Sequence, residues 1–448
     1  MLRSDHKKGR LDVSPPQWMI FGFAAIIVIG TALLALPASS ATGRSVGLLD
    51  ALFTATSAVC VTGLTVVDTA SSYSMFGEVV ILTLIQLGGL GFMTFGVIVA
   101  ILLGKRLSFR ERLLIQESTK ATNFQGLVKL SLGIFLIALM CELAGSVVLT
   151  LRLMPEVGPG LAAYYAVFHS VSAFNNAGFA LWPDSLVRFA GDPAFNLTIA
   201  ALLVLGGLGF TVVLDVLRKR NWRSLSLNSK VSLLAAGGLI VVGISVIFVL
   251  ELTNPSMYRT MSLGERMWIA FFQGVSPRTA GFNTVNLPDL MTATQFFIIF
   301  LMFIGANSGS TGGGIKTNTF IVLVLAMYSS IRGREQVTIF ERRVSYEIVL
   351  RSLSVILISL GTVMFVAFLL TITEPSREFI DLLFEATSAF ATVGLSLNLT
   401  MELSPLGKAI IIATMFVGRL GPLTLAYALA QKRRESKIGY AEEKILIG

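Results

Sequence analysis

One short segment recurs four times along the chain, and this repetition limits the possible folds more than any other feature. Each copy has a phenylalanine near its start and a glycine near its end, ten residues apart in three copies and nine in the third. A second apolar segment with its own glycine follows every copy, at Gly88, Gly206, Gly305 and Gly418. Repetition at a fixed spacing indicates a repeat architecture, so we expect four structural repeats. The copies are LFTATSAVCVTGL at 52–64, VFHSVSAFNNAGF at 167–179, FFQGVSPRTAGF at 271–282 and LFEATSAFATVGL at 383–395.

The composition places these repeats in a membrane. Apolar residues make up 54% of the 448 residues and charged residues only 14%, whereas a soluble domain has about 25% charged residues. A long apolar run precedes each copy, and each run has the length that crosses a bilayer as a helix. The two cysteines, Cys60 and Cys141, have no partner at metal-ligand spacing, which disfavours zinc and a disulfide framework. The apolar runs lie at about 17–37, 128–151, 231–252 and 350–371.

Each repeat is predicted to contain a first span, a short pore helix with a glycine loop, and a second span. A pore helix of about ten residues is too short to cross a bilayer. Its loop is tolerated at membrane depth only where it is buried in protein or lines a water-filled path. Two spans return the chain to its starting side, so the repeats run parallel. The sequence therefore predicts an all-α polytopic membrane protein with eight full spans and four parallel repeats around a pseudo-fourfold central pore.

The basic residues predict the orientation in the cell membrane. Of the 35 lysines and arginines, 25 fall in five segments predicted inside, eight fall outside, and Lys316 and Arg419 fall within the membrane. This asymmetry obeys the positive-inside rule and explains the net charge of +9 better than nucleic-acid binding does. The predicted regions are a cytosolic N-terminus at 1–16, repeat 1 at 17–104, repeat 2 with its preceding cytosolic loop at 105–230, repeat 3 at 231–331 with an intramembrane loop at 305–317, repeat 4 with its preceding cytosolic loop at 332–430, and a cytosolic C-terminus at 431–448.

The glycine loops are the candidate functional site. A dehydrated potassium ion needs a ring of backbone carbonyls in place of its water, and four loops facing one axis can supply it. Glycine adopts the positive φ that such a backbone requires. Close helix packing is the alternative role for these glycines, but packing does not require a fourfold recurrence. The predicted potassium filter consists of Val61, Thr62, Gly63, Asn176, Ala177, Gly178, Thr279, Ala280, Gly281, Thr392, Val393 and Gly394.

The fourfold pattern of span, pore helix and span resembles the Ktr/Trk/HKT superfamily of potassium transporters, and most closely its Ktr-type membrane subunits. The resemblance covers nearly the whole chain. It implies potassium uptake, with one filter glycine per repeat selecting potassium over sodium and with filter carbonyls as the only ligands of the ion. The third loop departs from the other three because it is one residue shorter and contains Pro277.

The second span of repeat 3 is interrupted by a glycine-rich segment. Each glycine costs about 1 kcal/mol relative to alanine in a helix, so we expect a loop inside the membrane. The resemblance implies that this is a gating loop below the filter, with the mid-span Arg419 near it. A nucleotide-binding P-loop is disfavoured because Ile315 separates the last glycine from Lys316. The predicted gate consists of Gly305, Ala306, Asn307, Ser308, Gly309, Ser310, Thr311, Gly312, Gly313, Gly314, Lys316 and Arg419.

Three other polar residues stand out. Glu142 lies in the middle of a span, where we weigh a paired carboxylate against a role in the pore. His169 lies on a pore helix and is expected to be a packed polar group rather than a ligand. Asp215 is expected at the surface. The sequence shows no catalytic set, so an enzyme is disfavoured.

The resemblance also implies partners. Ktr-type membrane subunits act as homodimers on a cytosolic octameric ring of nucleotide-binding regulatory subunits, which carry ATP or ADP. The chain itself is expected to need no cofactor, and activation by sodium stays open. The basic loops around Arg106–Arg112, Arg218–Arg223 and Arg332–Arg343 are the predicted docking surface. The alternative function is a sodium-coupled secondary transporter of another solute, which parallel repeats disfavour.

Overall fold

The computed structural model describes residues 15–91, 127–255, 261–334 and 336–421. The predicted basic loop around Arg106–Arg112, the cytosolic C-terminus at 431–448 and nearly all of the N-terminus at 1–16 lie outside the described residues. The described helices, in chain order, are α1 (Pro15–Leu34), α2 (Leu48–Cys60), α3 (Thr69–Ser72), α4 (Met75–Gly89), α5 (Leu127–Val157), α6 (Pro159–Phe174), α7 (Pro193–Gly207), α8 (Phe210–Lys219), α9 (Leu227–Glu251), α10 (Leu263–Val275), α11 (Thr292–Phe303), α12 (Thr317–Ile331), α13 (Tyr346–Thr373), α14 (Phe379–Ala391) and α15 (Pro405–Leu420).

Four long helices agree with the four predicted first spans. Helices α1, α5, α9 and α13 are long and apolar enough to cross a membrane. Most of their side chains are not buried inside the protein, and many of the exposed ones are large and apolar, such as Val241 and Phe365. A face of this kind is stable against lipid but not against water.

The four pore helices form the interior. Helices α2, α6, α10 and α14 are 13 to 16 residues long, too short to cross a bilayer. The phenylalanine that opens each repeated segment is fully buried in all four, and these side chains fix the helices in the core. The phenylalanines are Phe53, Phe168, Phe272 and Phe384.

The second helices α4, α7, α11 and α15 have 12 to 16 residues within the described part of the chain. Repeats 1 and 4 continue beyond the described residues, so the expectation of eight full spans stays a prediction. The described residues contain four helices long enough to span, or five if α7 and α8 form one broken span. These two helices meet at an angle of 97°. The cause is Gly209, which has φ +90° and lies so close to repeat 3 that a Cβ there would lie 2.6 Å from the Ser308 carbonyl oxygen. The break in repeat 3, between α11 and α12, was predicted.

The glycines of three second helices allow close contact with the pore helices. A Cβ on any of them would collide with a backbone carbonyl oxygen of the pore helix in the same repeat. Larger residues would therefore push the second helix away from the loops. The colliding pairs are Gly88 with Val59, Gly206 with Phe174, and Gly418 with Phe390.

A short antiparallel hairpin connects repeats 3 and 4. Its strands are β1 (Thr338–Ile339) and β2 (Arg342–Arg343). The two turn residues between them, Phe340 and Glu341, both have positive φ, as a two-residue hairpin turn requires. The hairpin lies in the predicted basic loop, and Phe340 at its tip is exposed. The Phe340 ring also lies 6.0 Å from the Lys230 ammonium.

Candidate functional site

The four predicted filter loops lie against one another. Each loop glycine faces the backbone of another loop so closely that a Cβ would clash with it. The contacts run from the first loop to the second, third and fourth and back to the first. They are Gly63 against the Ala177 carbonyl oxygen (2.5 Å from an ideal Cβ), Gly178 against the Gly281 Cα (2.8 Å), Gly281 against the Val393 carbonyl oxygen (2.6 Å), and Gly394 against the Thr62 carbonyl oxygen.

All four loops share one backbone pattern. The glycine has positive φ, and so does the residue two positions before it, although that residue is never glycine. A left-handed backbone at a residue with a Cβ is costly, and such strain tends to occur at functional sites. The pairs are Val61 (φ 57°) with Gly63 (91°), Asn176 (58°) with Gly178 (72°), Thr279 (72°) with Gly281 (77°), and Thr392 (50°) with Gly394 (93°).

A serine in or directly after each pore helix supports its loop. The hydroxyls of Ser57 and Ser388 accept the N–H of the loop glycine at 3.1 Å. Those of Ser172 and Ser276 donate to the carbonyl of the residue after the glycine. These serines were not among the residues predicted from the sequence. The signal was present, because each lies four residues after the buried phenylalanine of its copy.

The shorter third loop reaches the same position by a tighter turn. In loops 1, 2 and 4 the residue before the glycine donates its N–H to the serine carbonyl five residues earlier, as in Thr62 to Ser57. In loop 3 the equivalent bond, from Ala280 to Ser276, spans four residues. The third loop is therefore shortened at the end of its helix, and Gly281 occupies the same position in the ring as the other three glycines.

The four glycines line one open cavity of about 150 Å³. Its walls are formed by the loops and by the polar chain segments that follow them, including Asn283, Ser396 and Thr400. We call this cavity the vestibule. It offers a hydrated ion a polar route to the ring of loops.

The predicted gate lies directly against the loops. Residues 305–316 are not helical, and a parallel bridge between Ile304 and Ile315 brings the two ends of the segment together. A Cβ on Gly312 or Gly313 would collide with the hydroxyl oxygen of a loop threonine. The segment therefore fits under the loops only because it is rich in glycine. The threonines are Thr279 for Gly312 and Thr392 for Gly313.

Arg419 links this segment to repeat 1. Its guanidinium donates to the carbonyl oxygens of Thr311 and Gly88. The Thr311 hydroxyl in turn donates to the side-chain oxygen of Asn176 at 2.8 Å, in the second loop. Lys316 donates to the Gly312 carbonyl at 2.6 Å. The two predicted gate cations thus hold backbone carbonyls of the glycine-rich segment.

Arg278 is a second arginine beside the predicted gate. It lies at the end of the third pore helix and donates to the Ala236 carbonyl at 3.3 Å and to the Thr317 hydroxyl at 3.2 Å. Thr317 donates to the Gly305 carbonyl at 2.8 Å. Arg278 is therefore connected to both ends of the glycine-rich segment, a position that sequence distance alone does not reveal.

The remaining candidates have structural surroundings. Glu142 is buried and accepts hydrogen bonds from the Gln86 and Asn175 side chains at 3.0 and 3.1 Å. His169 is fully buried, bonds the Tyr165 carbonyl, accepts the Leu181 N–H at 3.2 Å and stacks on a tryptophan, so it is the packed polar group that was expected.

Asp215 differs from its expected place at the surface. Its carboxylate is half-buried, forms an ion pair with Lys219 at 2.8 Å and accepts from the Ser226 N–H and the Ser229 hydroxyl. These bonds join α8 to the start of α9.

Comparisons with known proteins find similar proteins over nearly the whole chain. Residues 17–437 match the family model of TrkH, described as a cation transport protein. The chain is 43% identical over 435 residues to the Ktr system potassium uptake protein B of Bacillus subtilis (strain 168), covering 97% of each chain. It is 36% identical to the potassium/sodium uptake protein NtpJ of Enterococcus hirae, covering 99% of each. The solved structure of the potassium transporter TrkH from Vibrio parahaemolyticus has a similar fold, with a TM-score of 0.74 at 20% identity over 96% of this chain and 87% of that one.

Proposed function

The chain belongs to the TrkH family of cation transport proteins, and from this membership we propose that it takes up potassium across the cell membrane by a channel-like mechanism. Its relative from Bacillus subtilis is named a potassium uptake protein. In this proposal the four repeats surround a pseudo-fourfold pore, and the twelve predicted filter residues supply the carbonyls that replace the water of the ion.

The mutual contact of the four loops carries the proposal. Each loop combines a positive-φ glycine, a second positive-φ residue and a supporting serine, and all four glycines line one vestibule. Packing accounts for Gly88, Gly206 and Gly418, which lie in helices. It does not account for strained residues repeated at the same position in four loops.

The glycine-rich segment is the proposed gate. It lies under the third and fourth loops and is held by Arg419, Lys316 and Thr317. Carbonyls held by a cation are not free to coordinate potassium, and the charge of the arginine repels a passing ion. Movement of this segment would open the path.

Partners follow from the family rather than from a binding motif. We propose a homodimer that docks a cytosolic nucleotide-binding ring through basic surfaces, which include Arg218–Arg223 and the exposed hairpin containing Arg342–Arg343. ATP or ADP would bind to the ring. The name of the Enterococcus hirae relative includes sodium, so sodium as a second transported or activating ion belongs to the same proposal.

The orientation can be tested by labelling single cysteines in intact cells. With the background cysteines Cys60 and Cys141 replaced, we expect an impermeant thiol reagent to label a cysteine at Arg188 and not one at Arg223. Both positions are in exposed parts of the described chain. Labelling at position 223 without permeabilising the cells would reverse the proposed orientation.

Rubidium uptake tests the function itself, because rubidium is a close substitute for potassium. Cells that lack their own potassium uptake systems are expected to accumulate rubidium and grow at limiting potassium when they express this chain with a regulatory partner. An expressed, membrane-inserted chain that gives neither growth nor rubidium uptake would contradict the proposal.

A further inference from the structure

The residue after the buried phenylalanine of each pore helix is polar in all four repeats. All four side chains are at most 1% exposed. Burying a polar group at membrane depth is costly unless it is hydrogen-bonded, so a polar residue at this position in every repeat calls for an explanation. The residues are Thr54, His169, Gln273 and Glu385.

In three repeats this residue holds the chain segment that follows the loop glycine. Thr54 accepts from the Tyr73 hydroxyl at 3.0 Å, and His169 accepts from the Leu181 N–H at 3.2 Å. Glu385 accepts from two hydroxyls of its own repeat. Gln273 has no hydrogen-bond partner among the described residues. The shared role in repeats 1, 2 and 4 is to support the outer segment from behind.

Repeat 4 is different because its residue is acidic and its two partners lie on the wall of the vestibule. The Ser396 hydroxyl donates to Oε2 of Glu385 at 2.7 Å, and the Thr400 hydroxyl donates to Oε1. Both partners line the vestibule together with the fourth loop glycine, Gly394. A fully buried carboxylate therefore stands directly behind two hydroxyls of the vestibule wall.

The Glu385 carboxylate fixes the orientation of the Ser396 and Thr400 hydroxyl groups. A hydroxyl has one proton and two lone pairs. Because the carboxylate takes the proton of each, only lone pairs remain for the vestibule. One lone pair of Ser396 accepts the Thr400 N–H at 3.4 Å, which leaves the other free for a ligand. Oxygen lone pairs are what a monovalent cation binds.

We propose that Ser396 and Thr400, oriented by Glu385, form an outer subsite that binds a partly hydrated monovalent cation before it reaches the loop glycines. Glu385 is a positioning residue in this subsite, since it acts through the hydroxyls. The inference rests on the proposed function, because it adds a first binding step to the same path.

The test is rubidium influx into vesicles that contain the full chain, measured against rubidium concentration. We expect Ser396→Ala and Glu385→Gln to raise KM roughly three- to tenfold, the size of one or two lost polar contacts, with Vmax within about twofold of wild type. Ser396→Thr keeps the hydroxyl and is expected to restore KM. A merely structural role would lower Vmax or folded yield and leave KM unchanged.

Thr54→Val is the matched control. It changes the equivalent position of repeat 1, whose partner Tyr73 does not line the vestibule. We expect its KM to stay at the wild-type value. An equal rise in KM for Thr54→Val would overturn the subsite, because the effect would then come from any change behind the loops.

Calorimetric titration of the purified chain with rubidium chloride gives a second readout that does not depend on uptake. Ser396→Ala is expected to bind rubidium more weakly than wild type, and equal binding would overturn the subsite. If Ser396→Ala and Glu385→Gln keep the wild-type KM while wild type transports rubidium, the subsite is wrong and the proposed function stands. If wild type transports no rubidium, the proposed function fails, and titration alone decides on the subsite.

Discussion

Replacing a loop glycine by serine, as in Gly63→Ser, is expected to reduce the preference for potassium over sodium by about tenfold or more. Gly63 has φ +91°, and a Cβ there would lie 2.5 Å from the Ala177 carbonyl oxygen. The left-handed backbone alone costs a residue with a Cβ about 1–2 kcal/mol, and about 1.4 kcal/mol corresponds to a factor of ten. Competition of sodium with rubidium uptake measures the change.

Gly158→Ser is the matched control for this substitution. Gly158 also has positive φ, +79°, but no atom lies near its Cβ position and it stands outside the loops, at the start of α6. It carries the same backbone strain without a filter neighbour. The prediction fails if all four loop variants keep the potassium-over-sodium preference of wild type. Close packing would then be the role of these glycines. The four variants are Gly63→Ser, Gly178→Ser, Gly281→Ser and Gly394→Ser.

Removing the guanidinium of Arg419 is expected to open the path when the regulatory partner is absent. Arg419→Ala loses hydrogen bonds to two backbone carbonyls, and a hydrogen bond from a charged group contributes about 1.5–3 kcal/mol. A shift of that size changes the population of the open gate by roughly ten- to a hundredfold. Deletion of residues 308–312 is expected to act in the same direction. Rubidium flux into vesicles that contain the membrane chain alone measures both.

Lys408→Ala is the matched control for Arg419→Ala. Lys408 lies on the same helix, α15, and forms an ion pair with Asp50 at 2.7 Å, away from the glycine-rich segment. Its loss removes a cation without touching the gate, so flux is expected to stay at the wild-type level. If Arg419→Ala and the deletion conduct no better than wild type while they remain folded in the membrane, the segment is structural and the gate lies elsewhere.

The parts of the fold that depend on local composition were predictable from the sequence. The four first spans follow from long apolar runs, and the interruption near Gly305 follows from a density of glycine that no helix tolerates. The family membership followed from the fourfold recurrence and is confirmed by the comparisons. Repetition made these signals strong, because each copy tests the interpretation of the others.

The features that the sequence did not predict depend on contacts between repeats. The bend at Gly209 arises where repeat 3 packs against the end of α7. Arg278 is far in sequence from Ala236 and Thr317, and only the fold brings them together. The serines that support the loops recur at a constant spacing. Serine is common in apolar helices, so this spacing does not indicate a role until the hydrogen-bond partner of each serine is known.

The most direct test of the central claim is the ion selectivity of rubidium flux through the purified wild-type chain with its regulatory partner in vesicles. A potassium filter built from the four glycine loops predicts that excess unlabelled potassium abolishes rubidium uptake, while an equal concentration of sodium leaves most of it. Uptake that sodium suppresses as strongly as potassium, or that neither ion reduces, would contradict a potassium-selective path through these loops.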